Sequence, residues 1–225
     1  MMSGMSDRTI EGALGAVDPT RRAPVQTRSR QRLEDILEVT ARLVDEIGPD
    51  NVTTTVIADQ LDISVGSIYA YFRDRAAIFD EIVARAIAQH DRLIGAAHER
   101  MVDVPWLDAS FVVIDTLVEI YRTEPGFRSL WFSQHLSAGM LETMRRSDEK
   151  QAQVGLDRLA ARGLRLNTAN PMDTMRMYVG LIDKGLDLAF RLDPSGDESM
   201  IEETKQVVRH YIAPFIEPLP PLAAH

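Results

Sequence analysis

From Leu33 onward the apolar side chains recur at the spacing of a helix that rests on a core. Leu33, Leu37, Thr40, Val44 and Ile47 form an i, i+4, i+7 stripe, and Gly48 and Pro49 stop it. The next stretch, "VTTTVIADQLDIS", opens on β-branched residues that by propensity alone suit a strand. Yet Val56, Ile57, Leu61 and Ile63 do not alternate with polar residues, and Thr53 or Thr54 is a good N-cap, so a short second helix reaching Leu61 is predicted. Asp62 then serves as a turn residue tolerant of the left-handed conformation, and Ser64 caps a third helix running to Phe72. Within it Ile68 and Phe72 face inward together with Val56, Ile57 and Leu61.

A long helix follows from Arg75 through Phe79, Ile82, Val83, Ile87 and Ile94 toward Met101. Beyond Pro105 the helical pattern restarts: Leu107 to Thr123, closed by Pro125 and Gly126; a short segment from Phe127; Ala138 to Arg162, closed by Gly163. Asn170 and Pro171 read as N-cap and first residue of a helix to Leu192, and Glu198 to Ile212 is the last before the proline-rich "PFIEPLPPLAAH". No strand and no internal repeat is expected. The fold class is all-α, with four segments: a disordered leader over 1–24, a three-helix unit over 25–75, a larger helical domain over 76–216 and a tail over 217–225.

Composition narrows the chemistry. At 225 residues with 45% hydrophobic and 26% charged residues the chain is ordinary for a globular protein, and no apolar run is long enough for a membrane helix. The leader is polar and lacks the apolar core of a signal peptide, so a cytoplasmic location without a membrane partner is expected. No cysteine is present, which removes disulfides, thiolate nucleophiles and thiolate metal sites. His90, His98, His135, His210 and His225 are scattered without metal-ligand spacing, and no glycine-rich phosphate loop or nucleophile elbow occurs, so no metal, no cofactor and no enzymatic activity are expected. A net charge of −9 argues alone against nucleic acid, but Arg21, Arg22, Arg28, Arg30 and Arg32 fall together without an intervening acid.

A short helix, a turn and a second short helix make a helix-turn-helix, whose second helix can enter a major groove of DNA. "TTVIADQLDISVGSIYAYFRDR", Thr54 to Arg75, resembles the helix-turn-helix of the tetracycline-repressor (TetR) family: a threonine opening helix two, "IA" inside it, then a serine-capped "VGSIYAYF" followed by Arg-Asp-Arg and a long helix. The specific resemblance runs from Arg28 to Ile82; the rest agrees in length and helicity. It implies that Ser64 to Tyr71 is the recognition helix, with Val65, Gly66, Ser67 and Ala70 facing base edges, joined by Thr55. Phosphate contacts fall on Thr54, Tyr69, Tyr71 and Arg75, with Arg28 and Arg30 reaching a neighbouring groove. Two positions depart from the family pattern: Asp62 stands where glycine is usual, and Val65 where lysine, arginine or glutamine is common, so no bidentate base contact comes from this helix.

The resemblance also implies a ligand-binding and dimerising domain in the remaining helices. Its methionines and aromatics, among them Met101, Trp106, Phe111, Tyr121, Trp131, Met144, Met175 and Tyr178, with His135, are candidates to line a pocket for a small hydrophobic or amphipathic effector. The helix from Pro171 carries a narrow polar stripe, so it must be covered on two sides. Leu181, Gly185 and Leu188, with Val208, Tyr211 and Ile212 of the last helix, are the expected homodimer contacts. Asp115, Glu119 and Arg122 are expected to form a solvated ion-pair face. The function that results is a dimeric repressor on a palindromic double-stranded operator, released by the effector; the alternative is a helical ligand-binding dimer without sequence-specific DNA binding.

Overall fold

The computed structural model describes residues 22–99, 101 and 104–220. Nine α-helices and one two-stranded sheet are found among them: α1 (Arg22–Ile47), α2 (Thr54–Gln60), α3 (Val65–Tyr69), α4 (Arg75–Glu99), α5 (Trp106–Thr123), α6 (Phe127–Trp131), α7 (Ala138–Ala161), β1 (Leu164–Leu166), α8 (Pro171–Phe190), α9 (Glu198–Ile212) and β2 (Ile216–Pro218). The leader over residues 1–21 and tail residues 221–225 lie outside the described residues. Residues 22–24, assigned from sequence to that leader, are helical instead, because α1 continues eleven residues N-terminal to Leu33 along "RAPVQTRSRQR".

The caps are where the residue types place them. Thr53 Oγ1 accepts from the Val56 amide at 3.2 Å, Ser64 Oγ from Ser67 at 3.2 Å and Ser137 Oγ from Met140 at 3.1 Å. Asp197 accepts from Ser199 and Met200 at 2.9 and 3.2 Å. Each such cap satisfies an amide that would otherwise lack a partner and contributes about 1 kcal/mol. Between α2 and α3, Asp62 has φ +52°, the left-handed turn expected of it. Ile57 and Ile68 are then buried on Ile36, Val44 and Phe79, which holds the two short helices across α1 and the start of α4.

One continuous core runs from this head into the larger domain through α4, whose Ile78, Phe79, Val83 and Ile87 are buried. There α5, α6 and α7 pack on α4, and the α8–α9 pair packs on α5 and α7. Gly155 lets α7 approach α8, since a Cβ there would lie 2.9 Å from the Met175 sulfur. The strands were not foreseen. Gly163 (φ +68°) ends α7 and turns the chain into β1, which pairs antiparallel with β2, Leu164 opposite Pro218 and Leu166 opposite Ile216. Backbone bonds from Asn167 to Phe215 and from Leu219 to Gly163, both 2.7 Å, extend the clip. Three-residue strands carry no alternation to read, so the tail expected from 217 begins inside a sheet.

Candidate functional site

Two places combine exposed or unsatisfied polar groups with a shaped surface: the outer face of α2 and α3, and a cavity between α4, α5, α7 and α8. On the first, Thr55, Gly66, Tyr69 and Ala70 are exposed, and Thr54, Val65, Ser67 and Tyr71 are half-buried. Tyr69 is 53% exposed although its ring is large and apolar. Its hydroxyl lies 3.5 Å from Thr54 Oγ1, so one hydroxyl from each helix projects at the same edge. Val65 and Tyr71 also lean on the core, and the Ser67 hydroxyl pairs with Ser64 Oγ at 2.9 Å. Gly66 is not required by the fold: a Cβ there would meet nothing closer than Ser64 Oγ at 3.8 Å. Its missing side chain leaves the bare helix surface open to close approach by another molecule. Arg28 and Arg30 are exposed on the first turns of α1, with no ion pair among the described residues.

Arg75, expected on a phosphate, is turned inward. Its guanidinium donates to the carbonyls of Pro49 and Val52 at 3.2 and 3.0 Å and sits over the Phe79 ring, 5.3 Å from its centroid. It also reaches His135 Nδ1 at 3.5 Å, while His135 Nε2 lies 2.8 Å from Asp50 Oδ1. A ring protonated on Nε2 serves both contacts. His135 is thus no pocket residue; it fastens the α6–α7 loop to the loop between α1 and α2. The outward-facing cation just before α4 is Arg73, 74% exposed and, among the described residues, paired with its neighbour Asp74 alone at 3.2 Å. The alternation Arg73-Asp74-Arg75 gave no hint of which arginine points outward. Arg75→Ala should lower the melting midpoint because three loop carbonyls lose their donor, whereas Arg73→Ala should leave it unchanged; equal midpoints in thermal melts would refute this division.

The cavity has a volume of about 90 Å³, room for a few water molecules or a small flat group, and opens further at its mouth. Trp106, Trp131, Met175 and Tyr178, four of the residues expected at an effector pocket, line it, and the Trp106 and Tyr178 rings meet at a tilt of 48° with centroids 5.5 Å apart. Five expected residues are elsewhere. Tyr121 is stacked between Phe127 and Phe132 in the core, Phe111 lies under Arg209 of α9, and Met101 gives its carbonyl to Arg162 at 2.6 Å. Met144 packs on the core, and His135 is in the loop clasp. Periodicity marks all of these as apolar-facing, but not which of two apolar sides borders a void.

The polar lining was missed. His90, Ser110, Asp148, Gln151, Arg162 and Asp183 all border the cavity. The His90 Nε2 is buried without a hydrogen-bond partner among the described residues, and the buried Tyr178 hydroxyl has Ser110 beside it, whose own hydroxyl donates to the Leu107 carbonyl at 2.6 Å. Burial pushes His90 down to about 4, Asp91 opposing, so its ring is neutral at pH 7. Burial, reinforced by the charge of Asp148, pushes Asp183 up to about 7, and burial also raises Asp148.

The cavity and the head are joined by two elements. α4 carries Arg75 at one end and the lining residues His90 and Ile94 at the other. α6 contributes Trp131 to the wall, while its first turn is bound to α1: Asp45 accepts from the Gly126 amide at 2.7 Å and from Ser129 Oγ at 2.8 Å. The expected dimer residues divide. Val208 and Ile212 are fully buried within the chain, and Gly185 faces Thr204 of α9, so these three serve the α8–α9 seam. Leu188 remains exposed and Leu181 and Tyr211 half-buried, and they are joined by exposed Met177, Gly180 and Val207. Of the expected ion-pair face, Asp115 pairs with Lys205 at 2.7 Å and Arg122 with Glu198.

Comparison with known proteins agrees with this division. Residues 36–82 match the family model described as bacterial regulatory proteins, tetR family, and residues 105–216 match tetracyclin repressor-like, C-terminal domain. An HTH-type transcriptional repressor of Mycobacterium tuberculosis is 26% identical over 191 residues, covering 79% of this chain and 93% of its own. A solved TetR-family transcriptional regulator from Streptomyces coelicolor superposes with a TM-score of 0.61 at 26% identity, over 82% of this chain and 99% of that one. A TetR transcription regulator from Haloarcula marismortui gives 0.64 at 15% identity, over 84% and 100%.

Proposed function

The chain belongs to the TetR family of bacterial transcriptional regulators, and from that premise we propose that it is a dimeric repressor that holds a palindromic operator and lets go when a small, largely apolar effector enters the cavity between α4, α5, α7 and α8. Thr54, Tyr69, Tyr71 and Arg73 grip phosphates and fix register, while Thr55, Val65, Gly66, Ser67 and Ala70 face base edges. With no arginine or glutamine on α3, sequence preference rests on apolar contact with thymine methyls and on the Ser67 hydroxyl. Arg28 and Arg30 supply sequence-independent attraction that the acidic remainder of the chain does not.

The observation that carries the reading is α6, which presents Trp131 to the cavity and the Gly126 amide to Asp45 of α1. A ligand that needs more room than about 90 Å³ within the cavity presses on the wall that Trp131 completes. Displacing Trp131 moves α6, and α6 is hydrogen-bonded to the first helix of the head. The half-site spacing of a twofold dimer, about 34–36 Å for one DNA turn, is then lost, and the affinity for both half-sites with it.

Dimerisation is supported by the exposed stripe of Met177, Gly180 and Leu188 on α8 with Val207 on α9. Met177 and Leu188 are 55% and 47% exposed, on a face where no neighbouring side chain approaches Gly180. Leu188→Glu should convert the protein to a monomer by light scattering and weaken operator binding at least tenfold. The reading as a whole is tested by mobility shift against DNA upstream of its own coding region. Saturable, salt-sensitive binding is expected, with Arg73→Ala lowering the salt slope by about two, one for each protomer. Absence of saturable binding to every palindromic fragment would leave only the ligand-binding dimer.

A further inference from the structure

The carboxylates bordering and surrounding the cavity are not treated alike. Asp91 is met by Lys150 at 2.5 Å and Gln151 at 2.6 Å, Asp187 by Lys184 at 2.5 Å and by Arg191, and Glu149 by Arg145 at 2.9 Å and Arg176 at 3.1 Å. Asp148 of α7 and Asp183 of α8 border the cavity and have no hydrogen bond or ion pair among the described residues. The antiparallel packing that sets Gly155 against Met175 also brings these two acids together, and Asp148 is the charge that acts on Asp183. Two like charges drawn out of water toward one void are unfavourable unless something positive completes the set.

Among the described residues no cation does so. His90, across the cavity on α4, is neutral because burial holds it near about 4. Arg162 lies about four helical turns from Asp148 along α7, ~20 Å at about 1.5 Å per residue. Its guanidinium is engaged with the carbonyls of Met101, Val104 and Arg158 at 2.6, 3.4 and 3.3 Å. The His90 Nε2 in the same lining, without a partner among the described residues, shows that a polar atom of the wall is also left for a guest to meet. Around them stand indole faces, which attract cations.

We propose, on the reading of this cavity as the effector site, that the effector is an apolar cation, an amine or quaternary ammonium on an aromatic or aliphatic body, whose charge is held between Asp148 and Asp183 while its body lies against Trp106, Trp131 and Tyr178. The Tyr178 hydroxyl and His90 ring then select among cations by hydrogen bonding. Carboxylates and other anions are refused at this end of the cavity.

The chain has only two tryptophans, and both line the cavity, so their fluorescence reports occupancy directly. The test uses three probes with one body, 4-phenylbutylamine, 4-phenylbutanol and 4-phenylbutanoate, titrated into the full-length protein. The amine is expected to bind at least tenfold tighter than the alcohol, and the carboxylate weakest. Asp148→Asn and Asp183→Asn should each remove the preference for the amine and leave alcohol binding unchanged. Asp183→Asn should also raise the melting midpoint above neutral pH, because the unfolded chain ionises Asp183 at a lower pH than the folded one.

Should either variant fail to fold, the wild-type protein gives the same information through pH. Between about pH 6 and pH 8 the amine stays protonated, and the groups facing Asp183 are Asp148 from α7, Tyr121 from α5, His90 from α4 and Asp187 from its own helix. Asp183, pushed up to about 7, gains its charge in this interval, so the amine-to-alcohol affinity ratio should rise with pH. Equal binding of amine and alcohol, or a flat ratio, overturns the cation proposal while keeping the cavity as an effector site. Tightest binding by the carboxylate overturns it in favour of Arg162 as the charge that selects. Quenching by none of the three removes the cavity as the effector site, and the proposal with it.

Discussion

Alanine at Gly185 should destabilise the chain by about 3 kcal/mol, near the upper end for an overpacking change, and lower the melting midpoint by about 10 °C. The added Cβ would lie 2.2 Å from Thr204 Oγ1, 2.4 Å from its Cγ2 and 2.8 Å from its Cβ. Thr204 cannot swing aside freely, because it is buried and its hydroxyl donates to the Met200 carbonyl at 2.7 Å. The helices must therefore move apart, and Leu186, Val208 and Ile212, all fully buried, lose contact together. Removing the opposing side chain should recover part of the loss: Thr204→Gly in the Gly185→Ala background clears all three contacts, whereas Thr204→Ala leaves the 2.8 Å contact in place. Thermal melts of the two singles and the double give the coupling, and additive losses would show that the helices do not meet at this point.

The second large effect lies at Gly126, where the head meets the effector domain. Its φ of +71° disfavours any side chain, and a Cβ would lie 2.8 Å from Ala41 Cα and 2.9 Å from the Ala41 carbonyl oxygen. These are backbone atoms of α1, so no rotamer change relieves the overlap. Gly126→Ala should destabilise by about 2–3 kcal/mol and separate α6 from Asp45. Operator affinity should then become insensitive to an effector that the cavity still binds, because the wall has lost its attachment to α1. Asp45→Asn keeps the shape and one acceptor, so a smaller loss of the same kind is expected. Mobility shifts with and without ligand, beside melts, decide the matter: an unchanged midpoint with full ligand response would show that α6 is not the connection.

What could be read from residues alone was local. Ser64, Thr53 and Asn170 placed helix starts because a cap is a property of a few consecutive residues. The exposed face of α3 was legible for the same reason: Ile68 and Phe72 had to be inside, so Gly66, Tyr69 and Ala70 had to be outside. What escaped depended on distant partners. Arg73 and Arg75 differ in role only because the Pro49–Val52 carbonyls happen to lie beside one of them. On α8 and α9, two apolar sides were evident, but whether Val208 or Val207 met the chain's own core was set by how Gly185 and Thr204 fit. Asp148 and Asp183 come to one cavity only through the pairing of α7 with α8.

The clip of β1 and β2 has a kinetic meaning. It joins segments separated by the whole α8–α9 hairpin, so its closure entropy is met only after contacts between sequential helices have formed. A pairing of that kind adds little to the folding nucleus and acts chiefly on the rate of opening. The three residues of β2 thus work as a latch on lifetime: they hold the α8–α9 hairpin shut between folding events and leave the route by which it assembled unchanged.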